Sequence, residues 1–253
     1  MKALVTGGTG FIGSHLVELL LAKHYTVRCL VRKTSDLSWL KDLPVEYISG
    51  DLYDEKALRD AVNGMDFVFH SAGLTKAKRK EEYFRANSTG TKNLLDPVRA
   101  SNPGLKRFVL ISSQTAAGPS SGGTPISEES PPYPITTYGR SKLMAEQECT
   151  RAMDSIRITI TRPPAVYGPR DKDVFEFFNT MNKGLQPMVG MEEKYVSLIH
   201  VKDLVRGIVM AAESDVASGK TYFISSKRVY GWREVGEITR SILNRKSVRV
   251  RIP

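Results

Sequence analysis

The chain has 253 residues, 41% of them hydrophobic, and its 37 Lys and Arg outnumber its 27 Asp and Glu, which gives a formal net charge of +10. This composition excludes intrinsic disorder, collagen-like repeats and small disulfide-stapled scaffolds. A chain of this length buries a large core and forms one α/β domain, alone or with a smaller satellite.

Short β-branched runs alternate with amphipathic stretches over the first 112 residues. This alternation predicts strands at Ala3–Thr6, Thr26–Val31, Val45–Ile48, Phe67–His70 and Lys106–Ser112. Helices are predicted at Phe11–Lys23, Glu55–Val62 and Lys80–Ser101, the last with a kink or break at Pro97. Strands and helices at this spacing predict βαβ units and a doubly wound parallel sheet covered on both faces.

The second half of the chain continues the alternation after a loop. Gly118–Pro134 is rich in Gly, Ser and Pro and predicts that surface loop. Helices are predicted at Thr137–Met153, Val174–Lys183, Lys202–Glu213 and Trp232–Leu243, and extended segments at Ile156–Thr161, Tyr195–His200, Lys220–Ile224 and Val248–Ile252.

The excess positive charge is concentrated at the C-terminus. Between Ser226 and Pro253 eight basic residues face two acidic ones, a surplus of six. The basic residues are Lys227, Arg228, Arg233, Arg240, Arg245, Lys246, Arg249 and Arg251. A surplus confined to one segment, with Tyr230 and Trp232 as its aromatic residues, argues against a general polyanion surface. We expect no nucleic-acid partner.

Cysteine spacing and hydropathy restrict the class of protein further. Cys29 and Cys149 are too far apart for a metal or redox motif, so no metal site is predicted. The first residues reach glycine too soon for a secretion signal, and no apolar stretch approaches the ~18 residues of a membrane span. We expect a soluble, cytoplasmic protein.

A glycine-rich segment joins the first predicted strand to the first predicted helix. It satisfies the pattern G-x-x-G-x-x-G through Gly7, Gly10 and Gly13. Glycine is required where the backbone turns tightly, approaches a pyrophosphate, or packs a helix against a strand, and the helix N-terminus then attracts phosphate. A bland glycine turn would have the same letters, but the strand before and the helix after favour dinucleotide binding.

The end of the second predicted strand bears on the choice of cofactor. NAD-preferring proteins place an acidic residue there for the ribose 2′-hydroxyl, whereas this chain has Arg32 and Lys33. A guanidinium pairs bidentately with a 2′-phosphate. The sequence favours NADP, and NAD is the alternative if Arg32 is a solvated strand end and Asp36 binds the ribose.

Tyr138 and Lys142 lie one helical turn apart at the start of a predicted helix. A free phenol titrates near ~10, too high for a base at neutral pH, and a neighbouring ammonium favours the phenolate. The pair is common by chance, and its position between the fifth and sixth predicted strands makes it informative. At this position the chain resembles the extended branch of the short-chain dehydrogenase/reductase superfamily, the NAD-dependent epimerase/dehydratase family.

The resemblance extends over nearly the whole chain. Besides the glycine segment and the Tyr–Lys pair, segments similar to family motifs occur at Gly50–Leu52, His70–Ala72, Asn87–Leu95, Ile111–Ser113, Arg162–Arg170 and His200–Asp203. It implies a Rossmann domain over residues 1–165, rejoined by 195–225, and a substrate lobe from 166–194 and 226–253. It also implies that this lobe is truncated at its C-terminus or naturally short, and it is compatible with a homodimer.

The resemblance implies the roles of individual residues. The catalytic set would be Ser113, Tyr138, Lys142 and Asn87. Tyr138 would be the general acid/base, Ser113 would polarise the substrate oxygen, Lys142 would also bind the nicotinamide ribose, and Asn87 would hold a water that links Lys142 to solvent. The cofactor-binding residues would be Gly7, Gly10, Phe11, Ile12, Gly13, Arg32, Lys33, Asp51, Leu52, Ser71, Ala72, Gly73, Tyr138, Lys142, Pro163 and Val166.

Departures from the family motifs distinguish between reactions. Dehydratases that the chain resembles carry an Asp–Glu pair after the catalytic Ser or Thr, where this chain has Gln114 and Thr115, so dehydration is not expected. Sugar-nucleotide epimerases usually carry an Asn near the end of strand six. The segment Arg162–Val166 is closer to dihydroflavonol-reductase-like and 3β-hydroxysteroid-dehydrogenase-like members.

We therefore predict an NADP-dependent oxidoreductase acting on the alcohol or ketone of a small to medium, partly apolar substrate. A nucleotide-sugar epimerase with tightly bound NAD is the alternative within the family. An alternative of another class is a non-catalytic NADP-sensing or nucleic-acid-binding relative.

Overall fold

The computed structural model describes residues 1–120, 124–190, 192–245 and 247–252. The chain divides into two compact units. The first contains Met1–Pro163 and Val205–Ile224, and the second contains Pro164–Leu204 and Ser225–Pro253. The predicted boundary at residue 195 differs from this division, because the strand Tyr195–His200 pairs with strands of the second unit.

The strands among the described residues are β1 (Lys2–Thr6), β2 (Thr26–Val31), β3 (Val45–Ser49), β4 (Phe67–His70), β5 (Arg107–Ile111), β6 (Ile158–Arg162), β7 (Ala165–Tyr167), β8 (Leu185–Val189), β9 (Tyr195–His200), β10 (Lys220–Phe223), β11 (Val229–Gly231) and β12 (Val248–Ile252). The α-helices are α1 (Phe11–Ala22), α2 (Glu55–Val62), α3 (Lys80–Phe84), α4 (Gly90–Ser101), α5 (Thr137–Ala152), α6 (Asp173–Asn182), α7 (Val201–Glu213) and α8 (Trp232–Leu243). Single turns of 3-10 helix occupy Gln114–Ala116 and Asp215–Ala217, and a π-helical turn occupies Arg85–Thr89.

The first unit is built on a seven-stranded, wholly parallel sheet in the order β3-β2-β1-β4-β5-β6-β10. Every residue of β4, β5 and β6 is buried. Strands covered by helices on both faces need such continuous apolar or β-branched runs. The predicted doubly wound fold is confirmed.

The largest described core cluster lies in this first unit. Leu4, Val68, Phe108 and Ile158, which come from four neighbouring strands, are fully buried in it. Residues of α2, α4 and α5 belong to the same cluster. The helix that carries the predicted catalytic pair is therefore fixed to the sheet through the core.

The predicted long helix over Lys80–Ser101 is interrupted, but not at proline. It consists of α3, the π-helical turn Arg85–Thr89 and α4, and α4 continues through Pro97. The predicted break at Pro97 is therefore wrong, and the alternative, a kink at Pro97, stays a prediction. Proline costs a helix one hydrogen bond, but the helix continues through Pro97, which is buried. The interruption falls instead at the π-helical turn, which carries Asn87.

The second unit contains two small sheets. One has the order β11-β9-β7, and the other pairs β12 with β8 in parallel. Phe177, Met181 and Val235 form its described core, and the rings of Phe177 and Trp232 lie 4.7 Å apart. The sequence did not predict β7, β8 or β11, which are three to five residues long.

Ion pairs within the second unit involve part of the basic C-terminal segment. Arg228 pairs with Glu234, and Arg249 with Glu237 at 2.8 Å. Arg233 pairs at 2.9 Å with Glu193, an acid from outside that segment. Lys246 lies outside the described residues, as do residues 121–123 of the predicted surface loop.

Across the part of the chain that the structure describes, no helix has the length and apolar character needed to cross a membrane. The same residues contain no cluster of three or more His, Cys, Asp and Glu side chains arranged to hold a metal ion.

Candidate active site

The glycine segment between β1 and α1 is packed too closely for a side chain at Gly7 or Gly13. Gly7 has φ +73°, and a Cβ there would lie 2.6 Å from the amide nitrogen of Ala72. A Cβ on Gly13 would lie 2.0 Å from the carbonyl oxygen of Gly7. The amide of Gly10 donates to that same oxygen at 2.9 Å. The loop is therefore a tight turn held against the segment that follows β4.

Among the described residues, no side chain caps the free amides at the N-terminus of α1. Gly10 precedes the helix, makes no capping hydrogen bond, and is followed by no acidic residue in the first turn. The amides of Phe11, Ile12 and Gly13 belong to this turn, which has no intrahelical acceptors for them. With the helix dipole, they form a site suited to an anion.

A buried hydrogen-bonded chain runs behind this loop. Thr6 Oγ1 lies 2.6 Å from His70 Nδ1, and His70 Nε2 lies 3.0 Å from Thr91 Oγ1. Thr91 donates its own hydroxyl proton to the carbonyl of Asn87 at 2.6 Å, so Thr91 Oγ1 must accept the proton on His70 Nε2. His70 Nδ1 then carries no proton and accepts from the hydroxyl of Thr6. Burial, with a smaller effect of Lys142, lowers the pKa of His70 to about 3. His70 is thus a neutral structural residue.

The neutral state of His70 predicts acid sensitivity. The unfolded chain binds a proton near pH 6.5 and the folded chain only near pH 3, so this histidine lowers stability progressively as pH falls from 6.5 toward 3. We expect the free energy of unfolding of wild type to fall by about 2 kcal/mol more than that of His70→Asn between pH 7 and 5. Urea unfolding at both pH values measures this difference. Exposed His24→Asn is the control, and an equal fall in wild type and His70→Asn would contradict the prediction.

The end of β5 brings the predicted catalytic residues together. The carbonyl of Ile111 accepts from Lys142 Nζ at 2.8 Å, and Ser113 lies close enough to Tyr138 to affect the pKa of its phenol. Thr136 caps α5 by accepting from the amide of Gly139 at 2.9 Å. The structure thus assembles Ser113, Tyr138 and Lys142 as the sequence predicted.

Close packing explains why these two segments meet. A Cβ on Gly139 would lie 2.3 Å from the carbonyl oxygen of Thr115, so the first turn of α5 contacts the 3-10 turn Gln114–Ala116 directly. Ser113 precedes that turn, and its Oγ accepts from the hydroxyl of Thr115 at 2.9 Å. The glycine after Tyr138 is the sequence feature that permits this approach.

The electrostatics of the pair differ from the expectation. Burial raises the pKa of Tyr138, the neighbouring Ser113 lowers it by a smaller amount, and the nearby Tyr83 raises it further. Burial lowers the pKa of Lys142 to about 8, against the opposing effects of Glu146 and Cys149. The ammonium is directed to Ile111 rather than to the phenol. In the chain by itself Tyr138 is therefore protonated at neutral pH.

The side chain of Asn87 makes hydrogen bonds to the protein that the sequence did not predict. Its Oδ1 accepts from the amide of Leu74 at 2.8 Å, and its Nδ2 donates to the carbonyl of Leu74 at 3.1 Å and to Ser141 Oγ at 2.8 Å. Both amide protons are used. The side chain fastens the segment after β4 to α5, and its role as a holder of water remains a prediction.

A buried ion pair adjoins the catalytic set and was not predicted from the sequence. Glu146, two turns after Tyr138 on α5, accepts from Arg162 Nε at 3.0 Å and Nη2 at 2.7 Å, and from Ser112 Oγ at 2.5 Å. The spacing of 138, 142 and 146 was a visible signal, because residues four apart share a helix face. Arg162 Nη1 is buried with no protein partner among the described residues.

The residues predicted to bind the adenine side lie at the ends of β2 and β3. The side chains of Arg32 and Lys33 are exposed and have no hydrogen-bond or ion-pair partner among the residues described. Asp51 accepts from the amide of Tyr53 at 2.7 Å, and the carbonyl of Leu52 accepts from Asn93 at 2.9 Å. A groove of about 410 Å³ between α2 and α4 includes Leu52 but no member of the catalytic set.

The remaining predicted cofactor residues divide between the two units. The amides of Ser71 and Ala72 donate to the carbonyl and hydroxyl oxygens of Thr6, at 3.1 and 3.4 Å. A Cβ on Gly73 would lie 2.7 Å from Asn87 Oδ1. The carbonyl of Pro163 accepts from the amide of Gln114 at 2.8 Å. These segments all follow the carboxyl ends of parallel strands, where such sheets bind ligands.

Val166 is the exception, because it lies in β7 of the second unit. All the other predicted cofactor-binding residues lie in the first unit.

Comparison with known proteins agrees with this geometry. Residues 3–225 match the model of the NAD dependent epimerase/dehydratase family. The chain is 30% identical to a ceramide reductase of Caulobacter vibrioides over 98% of this chain and 73% of that protein. It is 32% identical to the sterol-4-alpha-carboxylate 3-dehydrogenase, decarboxylating, of Mus musculus over 89% of this chain and 64% of that protein.

Among solved structures, a UDP-glucose 4-epimerase of Thermotoga maritima with UDP-glucose superposes with a TM-score of 0.89 at 25% identity, covering 100% of this chain and 86% of that one.

Proposed function

Because the chain belongs to the NAD dependent epimerase/dehydratase family, we propose that it is an oxidoreductase that transfers a hydride between NADP(H) and an alcohol or ketone. One observation carries the proposal: a half-buried tyrosine, Tyr138, lies close enough to Ser113 for that residue to lower its pKa, one helical turn before the buried ammonium of Lys142. These are the groups that proton transfer at a carbonyl oxygen requires.

The residues present fit a dinucleotide. The glycine loop leaves no room for a Cβ, and the first turn of α1 has no side-chain cap, so a pyrophosphate can approach the backbone amides of Phe11, Ile12 and Gly13. A bound nicotinamide cofactor would supply or accept the hydride. Lys142 uses one of its three N–H donors on Ile111, which leaves two for ribose hydroxyls.

Side chains of the protein then donate and accept the proton at the substrate oxygen. Because the raised pKa of Tyr138 keeps the phenol protonated, it can donate to the carbonyl oxygen while hydride adds to the carbon. The hydroxyl of Ser113 donates a second hydrogen bond to that oxygen. In the reverse direction the phenolate accepts the alcohol proton, and the positive charge of the oxidised nicotinamide favours that form.

Two observations favour redox chemistry over elimination and epimerisation. The two residues after Ser113 are Gln114 and Thr115, and neither side chain has the carboxylate that dehydration needs. The hydroxyl of Thr115 instead donates its proton to Ser113. Several relatives at 30–33% identity are called reductases or dehydrogenases of ceramide, sterols or dihydroflavonol. Their names support an alcohol or ketone on a partly apolar substrate.

A nucleotide-sugar epimerase that retains NAD is the second candidate. The observation that favours it is the superposition with UDP-glucose and UDP-glucuronic acid 4-epimerases at TM-scores of 0.85–0.89.

We expect purified protein to oxidise NADPH in the presence of ketones and aldehydes of increasing apolar size. The assay follows NADPH absorbance over a carbonyl panel, with NADH in parallel and with the released cofactor identified after denaturation. Stoichiometric NAD released from the protein, together with no NADPH consumption on any carbonyl, would overturn the proposal in favour of the epimerase.

Arg32 provides the matched test of cofactor choice. Its side chain is exposed and has no hydrogen-bond or ion-pair partner among the described residues, so it is available for a 2′-phosphate. Since a charge-assisted bond contributes about 1.5–3 kcal/mol, we expect Arg32→Asp to shift the ratio of kcat/KM for NADPH over NADH toward NADH by about 10- to 100-fold. Arg32→Lys keeps the charge without the bidentate fork and should lie between the two. An unchanged ratio in Arg32→Asp would exclude this role.

A further inference from the structure

One buried acid adjoins the proposed catalytic set without belonging to it. Glu146 is 4% exposed, and its two oxygens accept three hydrogen bonds, two from Arg162 and one from Ser112. Removing a carboxylate from water is costly, so its retention here requires these partners. Ser112 follows β5 and Arg162 ends β6, so Glu146 connects both strands to α5.

Three consecutive residues at the end of β5 contact three successive turns of α5. Ile111 accepts from Lys142, Ser112 donates to Glu146, and Ser113 lies near Tyr138 and lowers its pKa. The middle contact is a short charge-assisted bond of 2.5 Å, and its acceptor is fixed to the end of β6 by Arg162. Glu146 therefore joins β5, β6 and α5 at the position where the reacting groups meet.

We propose that Glu146 is a positioning residue for the proposed reaction: through Ser112 it sets the end of β5 against α5, and it places a negative charge one helical turn after Lys142. The inference rests on the proposed function, because it assigns a role within that site. Glu146 touches neither substrate nor cofactor and acts through Ser113 and Lys142.

The charges around Lys142 give Glu146 this second role. On α5, Glu146 and Cys149 are the groups that raise the Lys142 pKa against the effect of burial, and the thiol is neutral because burial raises its own pKa. His70, on β4, interacts with Lys142 but is neutral, because burial lowers its pKa to about 3. From β6, Arg162 is positive and pairs with Glu146. Glu146 is thus the anionic group that opposes the loss of the Lys142 proton.

Glu146→Gln tests the proposal, because glutamine keeps an acceptor for Ser112 but loses the charge. We expect the Lys142 titration to move down from about 8 by about one pH unit. We also expect kcat at pH 7 to fall by about tenfold or more, with the pH profile displaced. Ser112→Ala is the matched control, since it removes the hydrogen bond and keeps the charge. It should lower kcat without moving the titration.

The titration is followed by NMR of isotopically labelled lysine side chains, with Lys142→Met to assign the signal. This readout needs no substrate, so it separates the proposal from the proposed function: a protein that reduced no carbonyl would still report the Lys142 shift. A folded Glu146→Gln protein, judged by a cooperative melt, whose Lys142 titrates as in wild type would overturn the inference.

If glutamine at this position prevents folding, Glu146→Asp decides instead. It keeps the charge on a shorter side chain, so the Lys142 titration should stay near that of wild type while kcat falls. A Lys142 titration that moves down in Glu146→Asp as well would overturn the electrostatic role.

Discussion

Tyr138→Phe is expected to lower kcat for carbonyl reduction by about 10²- to 10⁴-fold, the usual contribution of a general acid. The change removes one oxygen atom, and with it the proposed proton donor beside Ser113. The glycine loop and the first turn of α1 are untouched, so NADPH affinity should stay within a few-fold of wild type. Steady-state kinetics and a fluorescence titration of NADPH measure the two quantities.

Tyr133→Phe is the matched control for this variant. Tyr133 lies five residues earlier and is 77% exposed, so its hydroxyl should not matter to turnover. A Tyr138→Phe protein that binds NADPH and keeps more than about a tenth of wild-type kcat would remove Tyr138 from the role of acid and, with it, the proposed mechanism.

The central sheet could be predicted from the sequence because its strands are buried on both faces. Runs such as Phe67–His70 and Ile158–Arg162 are wholly buried, and their apolar and β-branched composition is visible without any partner. The described part of the second unit lacks such runs. Its strands Ala165–Tyr167 and Val229–Gly231 have three residues each, too few for a periodic pattern, and their pairing depends on contacts distant in sequence.

The candidate site was predictable in its members but not in its energetics. The resemblance placed Ser113, Tyr138 and Lys142 together, and the structure brings them together. It did not indicate that burial raises the pKa of Tyr138, because burial is a property of the folded chain. It also did not reveal the pair of Glu146 with Arg162, whose partners lie on a helix and a strand that meet only after folding.

The interruption of the helix at Arg85–Thr89 has a similar origin. A π-helical turn adds one residue to the helical repeat and is common at functional sites. Here it carries Asn87 to the backbone of Leu74 and to Ser141. The local sequence signal for a break was Pro97. The helix is interrupted at Arg85–Thr89 instead, where Asn87 makes buried polar contacts that local helix propensity does not take into account.

Arg162→Met is expected to lower the free energy of unfolding by about 3–5 kcal/mol, because it leaves the buried carboxylate of Glu146 with Ser112 as its remaining described partner. The loss should not be a simple loss of packing, since methionine fills much of the same volume. Urea unfolding at pH 7 measures it.

The exposed pair on the same helix gives the comparison that identifies the cause. Arg151 pairs with Glu148 at 2.7 Å but is 66% exposed, so Arg151→Met should cost less than about 1 kcal/mol. The double variant Glu146→Gln/Arg162→Met replaces both charges and keeps an acceptor for Ser112, so it should recover much of the stability that Arg162→Met loses. If the double variant is instead less stable than Arg162→Met, the cost lies in lost packing around Arg162 rather than in an unpaired buried charge. Recovery would show that the ion pair is retained for the position it imposes on β5 and α5, since stability alone would not require it.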